Sequence, residues 1–200
     1  MNGALRSFGA KAALLAAFAS IAYDLPQLLQ IAGWLPDPWD RVAIFAPSLL
    51  LAPSFVCAMA AAVDLAGQDK RAPARAALAL AIMYAVLVSS VYIVQLGVVI
   101  PREMSGDASA ASLACCAPRM PMTALDLLGY SLMSVSLWLL ALALPREGST
   151  ALRPVLFING ALVFVIFGQL IWPGLILAAA VWLVSFPAAM WLLRGRFLAQ

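Results

Sequence analysis

Six apolar runs, each near the length that crosses a bilayer, fill most of this chain and leave only short polar breaks between them. A helix needs about 20 apolar residues to span roughly 30 Å of hydrocarbon. Water could not hold such a chain folded, since 65% of its 200 residues are hydrophobic and 10% charged, whereas a soluble domain is about half apolar. The expected fold class is therefore all-α: a polytopic membrane helical bundle of six transmembrane helices, forming one domain over residues 1–200. The spans predicted from the runs are 12–33, 42–63, 74–100, 122–144, 152–171 and 173–193.

The breaks set the ends. Residues 1–11 form a short basic leader with Arg6 and Lys11, a pattern that also fits a secretory signal, but apolar character continues past Ala22 and favours an uncleaved anchor. Pro26 is expected to kink the first helix, Pro47 and Pro53 to interrupt the second, and Pro101 to end the third. The turn from Trp34 to Arg41 joins two tryptophans and two prolines, as at a headgroup boundary. Trp172-Pro173-Gly174 makes the last two helices an antiparallel hairpin.

Orientation follows from Lys and Arg. Arg6, Lys11, Lys70, Arg71, Arg75, Arg146, Arg153, Arg194 and Arg196 fall on one side of a six-span topology, and only Arg41, Arg102 and Arg119 on the other. Both termini are thus expected to be cytoplasmic.

Several chemistries are excluded by what the letters lack. The chain has no histidine, which removes imidazole-ligated haem, Ser-His hydrolysis and His-ligated zinc. Its two lysines, Lys11 and Lys70, lie at helix edges, so no buried Schiff base is expected. No basic patch interleaved with aromatics points to nucleic acid. Cys57 reads as a small core residue, and Cys115 with Cys116 as either free thiols or a strained vicinal disulfide. A metal site on that pair needs further ligands that its loop does not supply, so neither cofactor nor metal is expected.

What remains is a set of polar residues inside apolar helices. Asp24 lies about 18 Å from the start of its span at ~1.5 Å per residue, and an ionisable group at such depth marks a site by default. Tyr23 and Gln27 share its helix face; Ser89, Tyr92 and Gln95 recur at spacing three, and Asp126, Tyr130 and Ser134 at spacing four. Together with Gln169 these residues are expected to converge in the extracytoplasmic half as a polar vestibule opening outward. Each has a plainer reading beside it: Asp126 as a first-turn residue with Thr123 as cap, Gln95 and Gln169 as headgroup-facing. Asn159 reads as interhelical glue. Small-residue stripes, Ala12, Ala16, Ser20 and Ala77, Ala81, Ala85, predict close contact between the first and third helices.

The segments Tyr23-Asp24-Leu25-Pro26-Gln27-Leu28-Leu29-Gln30, Pro38-Trp39-Asp40-Arg41 and Thr123-Ala124-Leu125-Asp126-Leu127-Leu128-Gly129-Tyr130 resemble those of small six-span bacterial membrane proteins. That resemblance implies the six-span fold and a bacterial inner membrane, and no activity. Pro26-Gln27 matches only two residues of the PQ-loop sugar transporters, without a second copy. The expected function is binding or transport of a small amphipathic or lipid-like molecule through the vestibule, with membrane lipids as partners. The alternative is a non-catalytic accessory subunit packed against partner membrane subunits. An intramembrane aspartyl enzyme pairing Asp24 with Asp126 ranks last, because the Gly-x-Gly-Asp of presenilin-like proteases is absent and the two carboxyls sit at different estimated depths.

Overall fold

The computed structural model describes residues 3–199; Met1, Asn2 and Gln200, at the tips of the leader and tail, lie outside the described residues. Those residues form eight α-helices and no strand: α1 (Gly3–Ile31), α2 (Trp39–Ala62), α3 (Arg71–Val94), α4 (Ile100–Met104), α5 (Pro121–Ala143), α6 (Leu152–Gly168), α7 (Ile176–Ala179) and α8 (Trp182–Leu198). Four helical stretches are long and apolar enough to cross a membrane: Gly3–Ile31, Trp39–Leu65, Gln68–Met104 and Pro121–Ala143. A fifth appears if the two pieces Pro173–Ala179 and Trp182–Leu198, bent by 40°, count as one span. The α6 helix, predicted over 152–171, has 17 residues and rises about 25 Å. It stops at Gly168 because residues 169–171 tighten to bonds three residues back, led by the Gln169 N–H to the Ile166 carbonyl at 3.2 Å.

Two helix ends and one expected interruption differ from the sequence reading. The first helix begins at Gly3 rather than residue 12, since Arg6 and Lys11 can lie along an apolar helix while their charges reach water. Proline does not interrupt α2, which runs through Pro47 and Pro53; the hydroxyls of Ser48 and Ser54 bond the turns before them, to the carbonyls of Ile44 (3.1 Å) and Leu50 (2.8 Å). Nor does Pro101 end the third span. A π-helical turn at Gln95–Val99 widens the helix ahead of it, so that Pro101 falls in the first turn of α4, where a missing N–H costs nothing.

The helices close into a ring: α1 packs on α2, α2 on α3, α3 on α5, α5 on α6, α6 on α8, and α8 back on α1. The expected seam between the first and third helices is therefore corrected. The small face of α1, with Ala13 and Ala16 fully buried, serves α2 and α8. A Cβ at Gly9 would stand 2.8 Å from both the Ala61 Cβ and the Phe197 ring. The Ala77 stripe serves α5, whose Ser136 hydroxyl donates to the Ala77 carbonyl at 2.7 Å. Asn159 does bridge helices: its Oδ1 accepts from the Ser185 hydroxyl of α8 at 3.2 Å.

Candidate functional site

The four tyrosines of the chain gather at one place. Helix α1 brings Tyr23, α3 brings Tyr84 and Tyr92, eight residues or about two turns apart on one face, and α5 brings Tyr130. The rings of Tyr23, Tyr84 and Trp182 lie 6.4, 5.5 and 5.5 Å from that of Tyr130. Its hydroxyl meets the Tyr92 hydroxyl at 3.1 Å. Phe45 stacks on Tyr92 at 5.1 Å, and Phe186 on Trp182 at 4.8 Å. Edge-to-face and offset rings at these separations are favourable beyond the area they bury.

Two carboxyls flank this aromatic core. Asp24 is 6% exposed, and neither of its oxygens has a hydrogen-bond partner among the described residues. Asp126, one turn before Tyr130, lies beside the Tyr92 hydroxyl, and its Oδ1 is likewise buried without a hydrogen-bond partner, as is the Trp182 indole nitrogen. Groups of this kind are normally satisfied, because an unpaired buried polar atom costs about 1–3 kcal/mol. The two carboxyls are not hydrogen-bonded to each other.

A polar rim closes the same end. Gln30 donates to the buried Asp40 at 2.6 Å, tying the end of α1 to the start of α2. Arg41 pairs with Asp37 and with Glu103, each at 2.6 Å. Gln95, expected either in the vestibule or facing headgroups, is 1% exposed and fastens the loop between α4 and α5. Its Nε2 donates to the Leu113 carbonyl and its Oε1 accepts the Cys115 N–H, both at 2.9 Å.

Thr123 does not cap α5, where Pro121 occupies the first turn. Its hydroxyl accepts the Cys116 N–H at 2.8 Å and donates to the Ala117 carbonyl at 2.7 Å. The cysteines are free thiols, and their sulfurs lie within 4.8 Å of each other and of an Asp126 oxygen. The hydrogen bond that the Cys116 S–H donates to Cys115, which favours the protonated form, and the loss of water around its sulfur hold the Cys116 thiol well above its ordinary range.

Tyr23, Asp24, Tyr92, Gln95, Asp126 and Tyr130 thus sit at one end of the ring. Gln27 and Gln169, both half-buried, make no side-chain hydrogen bond to this group among the described residues. Sequence reasoning missed Tyr84, legible from its eight-residue spacing to Tyr92, and Trp182, which no pattern singled out. It also missed Asp126 as a neighbour of the cysteines. Two cavities lie elsewhere: a groove of about 450 Å³ between the first turns of α1 and the last turn of α8, beside Arg6, Lys11 and Arg194, and an apolar groove of about 720 Å³ between α2 and α3. The chain matches no family model, no curated protein and no solved structure.

Proposed function

We propose that this is a six-span protein of the bacterial inner membrane, with both termini cytoplasmic, that binds or transports a small amphipathic molecule at the tyrosine end of the ring, with Asp24 as polar anchor. The observation that carries this reading is the Asp24 carboxyl, buried in an apolar bundle with both oxygens lacking a hydrogen-bond partner among the described residues. Aromatic faces and carboxyls together favour a cationic head over an anionic one. In the six-span count α6 is the fifth crossing and the bent pair α7 and α8 the sixth. The clustering of Arg6, Lys11 and Arg194 around one groove where the first and last helices meet supports the cytoplasmic assignment of that end.

The test is thermal unfolding of the purified protein in detergent against a panel of lipophilic amines, lysolipids and fatty acids. A ligand at 100 times its Kd adds about 2.7 kcal/mol to stability. At least one amphipathic amine is expected to raise the Tm of the wild type and not of Asp24→Asn. A panel that leaves the wild type unmoved, or a shift that survives in Asp24→Asn, sinks the assignment. A second reading, a non-catalytic subunit of a larger membrane complex, is favoured by the α2–α3 groove lined by Pro53, Val56, Ile82 and Val86. It predicts that bulky substitutions at Val86, which is 61% exposed, displace a co-purifying partner.

A further inference from the structure

The free thiols of Cys115 and Cys116 and a carboxylate oxygen of Asp126 converge within 4.8 Å of one another, from a loop and from a helix position ten and eleven residues further along the sequence. Tetrahedral zinc, with metal–sulfur bonds of about 2.3 Å, holds two thiolates roughly 3.8 Å apart. A small rotation of these side chains would reach that spacing. We propose that Cys115, Cys116 and Asp126 form a binding site for a zinc-class divalent cation, a site that stands independently of the ligand assigned to Asp24.

The surroundings fit a built site. Each cysteine amide is fastened from a different helix, Cys115 by Gln95 and Cys116 by Thr123. Asp126 presents a buried Oδ1 with no hydrogen-bond partner among the described residues, and the Tyr92 hydroxyl beside it is placed to orient a metal-bound carboxylate, as outer partners of metal ligands do. Chemistry selects the ion. Thiolates disfavour magnesium and calcium, which take oxygen ligands, while a carboxylate disfavours Cu(I), which takes soft ligands. Two sulfurs and one oxygen leave the fourth position of a tetrahedron open to water or an incoming ligand. Binding releases the two thiol protons to solvent, so three anionic ligands face a charge of +2.

The test is titration of the reduced full chain in detergent with Co2+, followed by displacement with Zn2+. The wild type is expected to bind one equivalent with the visible bands of tetrahedral cobalt and a thiolate charge-transfer band, all lost on adding Zn2+. Cys57→Ser retains the titration, because Cys57 lies in the α2–α3 groove. Asp126→Asn weakens binding at least ~10-fold, and Cys115→Ser and Cys116→Ser each lose the tetrahedral spectrum. Circular dichroism of every variant in chelator checks that the helices persist. Absence of stoichiometric binding by the wild type overturns the site, as does a folded Asp126→Asn that titrates like the wild type.

Discussion

Gln95 is the side chain whose loss should be felt furthest from its own helix. It is 1% exposed, and its amide spans the gap from the π-helical turn to the loop, donating to Leu113 and accepting from Cys115 at 2.9 Å each. Gln95→Ala removes both bonds and strands a carbonyl and an N–H. Each hydrogen bond is worth about 0.5–1.5 kcal/mol net, so the pair contributes about 1–3 kcal/mol to holding the loop closed. At a factor of ten per ~1.4 kcal/mol, local opening of the loop should become roughly 5- to 150-fold more frequent. Hydrogen exchange at the Cys115 amide reads that opening directly, with the amides in the middle of α5 as an internal control expected to change little. Gln95→Glu, which keeps the acceptor for Cys115 but loses the donor for Leu113 when ionised, should fall between the two. If the Cys115 amide in a folded Gln95→Ala exchanges within twofold of wild type, the loop is held by something other than this side chain.

Other seams yield sharper or smaller effects. A Cβ at Gly160 would stand 2.7 Å from the Trp138 Cβ and 3.1 Å from its Cα, so Gly160→Leu should force α5 and α6 apart and cost about 1–3 kcal/mol, read as a lowered Tm in detergent; an unchanged Tm would refute the contact. Ser185→Ala removes the bond to Asn159 across α6 and α8, and membrane-buried bonds average only ~0.6 kcal/mol, so a loss above 2 kcal/mol would mean the bond carries more than one pair. Asp107 caps the short helical turn Ala108–Leu113. Hydrogen bonds from the Ser109 side chain and amide hold its carboxyl below the ordinary aspartate range. With the folded pKa depressed, the cap is intact above the unfolded range and lost as pH falls through the lowered value, so the Ser109 amide resonance should titrate in acid and stay constant from pH 6 to 8.

The four long helices were legible in the letters; the single helix expected over 173–193 is instead broken into α7 and α8, and the helices' partners were not legible. Apolar length fixed where the long runs lie, because hydrocarbon thickness admits few alternatives. Proline misled at Pro101, since one π-helical turn at Gln95–Val99 absorbs the missing donor and no composition signal announces such a turn. Small-residue stripes misled on pairing: in an alanine-rich chain nearly every helix has one, and ring order decides which neighbour it meets. At the site, Asp24, Tyr92, Asp126 and Tyr130 could be named because polar residues inside apolar runs stand out. Trp182 could not, being apolar in character and placed by the bend between α7 and α8. Nor could the meeting of Cys115, Cys116 and Asp126, which depends on the path that Gln95 and Thr123 impose on the loop.

The closed circuit of helices has a consequence for rewiring. Because α8 lies against α1, with Phe197 in contact range of a side chain at position 9, a short tether between the described ends would need to cover little distance. The polypeptide could then be cut in the exposed stretch around Gly67 to Asp69 while every interhelical seam survived. Such a permutant would begin with α3 and finish with α2, and its assembly would report whether the order in which the helices are made matters to a barrel of rods that has no first or last stave.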